Sequence, residues 1–142
     1  MATRNITDCQ VILSNAYSKA LAQWAQQHAD KSVPFVDCAY RSPQEQQSTF
    51  NQGRITKGIV VTWARPGESP HNYLPSYAFD IAFKKADGSL DWTPTLFVLF
   101  WQIISAIEPN IEWGGNFPNP KEDRPHFEVK NWTALIQKKA VV

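Results

Sequence analysis

Cysteine is scarce in this chain. Cys9 and Cys38 are the only two among 142 residues, and neither sits in a CxxC pair. That excludes a disulfide scaffold and leaves each thiol as a small buried hydrophobe. An excess of charge of one sign is lacking too, with 14 basic against 13 acidic residues for a net charge of +1. No basic field points to nucleic acid, and no polybasic run points to a membrane surface. Long apolar runs are also missing. The most apolar stretch, Leu96 to Ile107, is interrupted by Gln102 and Ser105. A bilayer span needs about 20 apolar residues, so this stretch predicts a core helix. The N-terminal residues Met1-Ala2-Thr3-Arg4-Asn5 show no secretory apolar run. The expectation is a chain made in the cytoplasm with no export address of its own.

Apolar and aromatic side chains are plentiful. Six Trp, eight Phe and a 43% hydrophobic composition exclude disorder and suffice for one core. No repeat, low-complexity tract or linker divides the sequence, so residues 1–142 are expected to form a single domain.

Thr7-Asp8-Cys9-Gln10 has capping-box spacing, and Leu13, Tyr17, Leu21 and Trp24 follow at helical period, predicting a helix over residues 8–28. Val33 to Ala39 reads as a short strand. Ser42-Pro43-Gln44-Glu45 combines an N-cap, a first-turn Pro and a capping Glu, predicting a helix from Pro43 to about Gln52, ended by Gly53. Arg41 is thereby pinned at a strand-to-helix junction, where binding residues tend to sit. Ile59-Val60-Val61-Thr62 is expected to be a short strand. Tyr77 to Phe83 alternates, with Tyr77, Phe79, Ile81 and Phe83 facing the core and Ala78, Asp80 and Ala82 facing the other way. Asp87-Gly88 is a turn, and Thr93-Pro94 opens the apolar helix. Ile111 to Trp113 and His126 to Val129 read as strands, and Asn131 opens a final helix reaching about Lys138. The order predicts an α+β fold, a small, mainly antiparallel sheet with packed helices.

Two stretches carry candidate chemistry: Ser69-Pro70-His71 through Phe79-Asp80, and Asp123-Arg124-Pro125-His126-Phe127-Glu128. If the strands bearing Asp80 and His126 are neighbours, His71, Asp80 and His126 can meet at one ion. Two imidazoles and a carboxylate suit zinc with an open position for water. Asp123, three residues before His126, is placed to shuttle a proton, and Arg41 to hold a substrate oxygen. Spacing alone also accommodates structural histidines, a turn-capping Asp80, an Arg41 paired to Glu45 or Asp37, and an Asp123 in a solvated charged loop.

Five motifs in order narrow these alternatives: Tyr40-Arg41-Ser42-Pro43-Gln44-Glu45-Gln46, Pro66-Gly67-Glu68-Ser69-Pro70-His71, Ala78-Phe79-Asp80, Glu112-Trp113-Gly114-Gly115, and Asp123 through Glu128. Together they resemble the phage-endolysin L-alanyl-D-glutamate peptidases, relatives of the D-alanyl-D-alanine carboxypeptidases in the LAS zinc peptidase group, which hedgehog domains share. The resemblance implies one Zn2+ held by His71, Asp80 and His126, with Asp123 as catalytic acid/base. It gives Arg41 a catalytic and substrate-binding role, with Gln46 beside it and Ser69 in support near the ligands. It further implies cleavage of the L-Ala–D-Glu bond of peptidoglycan stems and lysis of the host cell. A holin-type partner would open the way to the wall. The chain length leaves no room for a separate wall-binding domain, so a lone catalytic module is expected, and nothing in the sequence suggests more than a monomer. A D-Ala-D-Ala carboxypeptidase or dipeptidase on the same site, or a non-catalytic zinc-containing binding module, are the alternatives. One departure stands out: His71 and Asp80 are two positions further apart than in the commonest family motif, with Leu74-Pro75-Ser76 filling the gap.

Overall fold

The computed structural model describes residues 2–140, the last four as backbone only. Four helices and four strands follow in the order α1 (Val11–Gln27), β1 (Val33–Cys38), α2 (Pro43–Asn51), β2 (Ala78–Lys84), α3 (Pro94–Ile107), β3 (Ile111–Trp113), β4 (His126–Val129) and α4 (Trp132–Ala140). The strands make one sheet in the order β1-β2-β4-β3, antiparallel throughout. This is the expected α+β architecture.

Alternation along β2 and β4 divides the sheet into two faces. Phe79, Ile81, Phe83, Phe127 and Val129 are buried on the core face. There α1 and α3 cover them: Tyr17 meets Phe79 edge-on at 5.5 Å, Trp24 meets Phe83 at 5.3 Å, and Phe100 meets Phe127 at 5.4 Å. Burying a side chain of this size contributes about 1.5–3 kcal/mol, so the aromatic face dominates cohesion. The opposite face presents Asp80, His126 and Glu128. Pairing of β2 with β4 sets Asp80 directly across from His126.

Local signals held at α2, where Ser42 and Glu45 form the reciprocal capping box and Gly53 follows at φ +79°. Two expectations are corrected. The first helix begins at Val11 rather than at residue 8. The Thr7 hydroxyl donates to Asn5 Oδ1, and Asn5 caps a separate 3-10 turn over Ile6–Asp8. Residues 8–10 are then spent on extended pairing, with Ser76 N donating to Asp8 O and Gln10 N to Ser76 O. The Gln10 side chain donates to Pro75 O instead of reaching back to a cap. The expected strand at residues 59–62 does not form. A β-branched run favours a strand only where a pleated surface takes it up; Ile59 is instead 79% exposed.

Candidate active site

The register of β2 against β4 does most of the positioning. Asp80 Oδ1 lies 3.0 Å from His126 Nδ1 and 3.2 Å from His71 Nε2. His71 reaches this point from the loop before β2. Ser69 and Asn72 form a reciprocal cap around the 3-10 turn Pro70–Asn72, and Ser69 Oγ accepts from His71 N. The longer His71–Asp80 connection does not disturb the meeting. Its extra residues lie against the N-terminal end of α1, held by Gln10, and Leu74 is exposed.

The outer nitrogen of each imidazole is occupied. His71 Nδ1 is 2.8 Å from Ala39 O, and His126 Nε2 is 2.7 Å from Glu128 Oε1. A carbonyl and a carboxylate only accept, so the N–H groups belong on those outer atoms. The two inner nitrogens then turn lone pairs toward Asp80 Oδ1. A carboxylate oxygen facing a lone pair on either side calls for a cation beside it, supplied either by protons or by a metal.

The titration behaviour says the same. Burial opposes charging of His126, yet hydrogen bonds to Asp80 and Glu128 outweigh it and lift the pKa to about 9. His71 is likewise lifted well above its usual range, because the Asp80 charge overcomes the cost of burial. Asp80 is half-buried; desolvation opposes its charge, but the His71 and His126 charges hold its carboxyl well below the ordinary range.

The donor set fits zinc. A tetrahedral ion with bonds of about 2.0–2.1 Å spaces its donors about 3.3 Å apart, close to the 3.0 and 3.2 Å from Asp80 to the two imidazoles. Donors within 4.8 Å of one another form two groups that share Asp80, namely Cys38-His71-Asp80 and Asp80-Asp123-His126, so the two imidazoles must draw together to share one ion. The outer partners have the form of supports that orient metal-ligating histidines. Glu128 is a residue of the candidate site that reading the sequence missed. Its signal was present, since it shares a strand face with His126 two residues earlier.

Asp123 offers an oxygen within 4.8 Å of donor atoms on Asp80 and His126. Partial desolvation raises its pKa, and the Asp80 charge adds to this, while His126, His71 and Arg41 pull the other way. Its backbone is pinned, with Asp123 N donating to Gly114 O at 2.8 Å and Asp123 O accepting from His126 N at 3.2 Å. This explains Trp113-Gly114-Gly115. A Cβ on Gly114 would meet Asp123 O at 2.2 Å. A Cβ on Gly115 would strike the Trp113 ring, whose Nε1 donates to Arg124 O.

Arg41 lines the same cleft, a cavity of about 880 Å3 that also takes in Ser69, His71, Asp80, Asp123 and His126. Its Nη1 donates to Gln46 Oε1 at 3.1 Å, and its amide N donates to His71 O at 2.8 Å. Gln46 departs from expectation. Its side chain is wholly buried and donates to Ala64 O at 2.6 Å, so it braces Arg41 and has no surface to offer a substrate. Asp37, one alternative partner for Arg41, lies 3.6 Å from Arg4. Cys38 is more than a packing residue, with Sγ 3.6 Å from His71 Nδ1 and 3.7 Å from Arg41 Nη2.

No family model matches the chain. Among curated proteins it is similar to the peptidoglycan L-alanyl-D-glutamate endopeptidase CwlK of Bacillus subtilis, 39% identical over 109 residues, or 71% of this chain and 64% of that protein. The chain thus spans a little under two thirds of that relative's length. Among solved structures it resembles the L-Ala D-Glu endopeptidase ChiX of Serratia marcescens, at a TM-score of 0.67 and 19% identity over 94% of this chain and 92% of that one. It also resembles the LD-carboxypeptidase LdcB, at a TM-score of 0.52 and 16% identity over 97% of this chain and 68% of that one. The two structural likenesses show a shared fold. The identity to CwlK, together with the ordered motifs, supports placing the chain with the LAS-type peptidases that share this fold.

Proposed function

We propose that this chain is a zinc-dependent peptidoglycan peptidase that hydrolyses the L-Ala–D-Glu bond of the stem peptide. One observation carries the chemistry: the Asp80 oxygen lies 3.2 Å from His71 Nε2 and 3.0 Å from His126 Nδ1, with Asp123 grouped beside Asp80 and His126. The choice of bond is supported by the name of the relative at 39% identity.

His71, Asp80 and His126 would hold the ion. Zinc, when bound, lowers the pKa of a water toward about 7 and polarises a carbonyl oxygen. Asp123 takes the proton of the attacking water and delivers it to the leaving amine. Its raised pKa makes it a better proton acceptor than an ordinary Asp, which suits taking the proton from water. Arg41 is permanently charged and planar. Braced by Gln46, it directs a fixed guanidinium at a substrate carboxylate or carbonyl oxygen.

The ordered motifs that resemble phage endolysins support a role in host lysis. The chain would then be made in the host cytoplasm, reach the wall after a holin-type protein permeabilises the membrane, and act there as a monomeric catalytic module.

The test is mass analysis of fragments released from purified peptidoglycan, with and without a chelator. Separation of the stem from its L-alanine, abolished by chelation and restored by zinc, is expected. Loss of a terminal alanine instead would reassign the site to a carboxypeptidase. Asp123→Ala should keep its zinc and lose activity by about 10²–10⁴-fold, the range for a general acid–base group. Activity at the wild-type level would remove Asp123 from the mechanism.

A further inference from the structure

Trp92 is difficult to explain by folding alone. It is 52% exposed, although its backbone is held firmly on both sides. Asp91 N donates to Phe83 O, Asp91 Oδ2 accepts from Ser32 Oγ, and Asp91 Oδ1 accepts from both Thr93 N and Thr93 Oγ1. Thr93 is thus occupied in fixing this corner and makes no side-chain cap for α3. The indole lies nearly parallel to the Phe97 ring, at 9° and 6.1 Å between centroids, and Phe97 is locked edge-on against Phe83 at 4.9 Å. A rigid aromatic plane is therefore backed on one side and open on the other. Large, stiff, amphipathic rings of this kind contribute binding area at little entropic cost.

The open side borders the active site. Trp92 lines the main cleft and a second cavity of about 370 Å3. Asp123 lines both as well, whereas Arg41 lines only the first. The smaller cavity is in the range for small-ligand sites. The substrate's own chemistry says what would occupy it. On the acyl side of an L-Ala–D-Glu bond there is one amino acid, then the lactyl ether of the muramic acid sugar. One residue spans at most about 3.6 Å, so a sugar ring must come close to the scissile carbonyl. The D-Glu side carries the carboxylate, which suits Arg41. The sugar then belongs in the part of the site that Arg41 does not line, the smaller cavity beside Trp92 and Asp123.

We propose that Trp92, backed by Phe97, is a sugar platform that stacks the N-acetylated pyranose ring of the glycan strand on the acyl side of the scissile bond. Pyranose C–H groups carry partial positive charge and meet the negative face of the indole, as aromatic edges do. This rests on the peptidase reading above and adds to it that the enzyme reads the glycan as well as the peptide.

The test compares two substrates, a disaccharide-linked stem peptide and the same peptide without sugar. Wild type should cleave the glycan-linked substrate with a kcat/KM about ten-fold higher, the factor that a contact of about 1.4 kcal/mol supplies. Trp92→Ala should lose that advantage and leave the sugar-free rate unchanged, and Trp92→Phe should recover part of it. Equal losses on both substrates, or no loss on either, overturn the proposal. Titration with peptide-free glycan oligosaccharides, read from the Trp92 indole N–H resonance, separates the two claims. A shift with no cleavage of either substrate sinks the peptidase reading but keeps the platform. Cleavage with no shift at saturating sugar sinks the platform alone.

Discussion

Gly114→Ala is the sharpest test of how the active site is held. The new methyl would begin 2.2 Å from Asp123 O and 3.0 Å from His126 Cβ. Ordinary van der Waals contact starts near 3.4 Å, so the Asp123 backbone must retreat by more than an ångström. It cannot retreat alone, because Asp123 donates to Gly114 O and accepts from His126 N. The displacement therefore carries both the proposed acid/base, Asp123, and one proposed metal ligand, His126. Overpacking of this kind costs about 1–3 kcal/mol of stability. Misplacing a catalytic group by about 1 Å costs about 10²-fold in rate. The expected protein is folded, melts several degrees lower, and has lost about two orders of magnitude in kcat/KM on peptidoglycan. Gly88→Ala is the control. That residue, unlike Gly114, is at positive φ, +86°, and a Cβ there meets nothing within 4 Å. It should lose about 1 kcal/mol from backbone strain and keep full activity. If Gly114→Ala retains wild-type activity at an unchanged melting temperature, close approach at Gly114 is not what positions Asp123.

Glu128→Ala should weaken zinc binding about 10–100-fold by releasing the His126 ring, and Glu128→Gln, which still offers an acceptor, should recover part of it; competition with a chromophoric chelator reads both. The pH dependence of stability should reverse when zinc is added. The folded pKa of His126 is raised from 6.5 to about 9, so the chelated protein has that stabilisation in full below about pH 6.5 and loses it as pH rises through 9. Ligation needs neutral imidazole, so zinc affinity should rise over the same interval with release of protons, measurable in buffers of different ionisation enthalpy. A zinc affinity independent of pH between 6 and 9 would refute the ligand set. Arg41→Lys keeps the charge but loses the planar fork held by Gln46; kcat/KM should fall at least ten-fold while zinc content stays at one per chain. Gln46→Ala should lower both melting temperature and activity, since its amide is fully buried between Arg41 and Ala64 O.

The sequence by itself determined the parts whose causes are local. The Ser42–Glu45 box started α2, period-two alternation set the two faces of β2, and the order of motifs named the candidate ligands. Where local signals competed with distant partners, they lost. Thr7 gave way because residues 8–10 pair with Ser76, and residues 59–62 stayed out of the sheet. Only the tertiary structure decided which atoms of the histidines turn inward, because that depends on Ala39 O and Glu128 Oε1. It alone buried Gln46 behind Arg41 and brought Gly114 against Asp123. The reason is physical: hydrogen-bond direction and close contact arise between segments far apart in the chain, and residue order carries no record of which face of one segment will meet another.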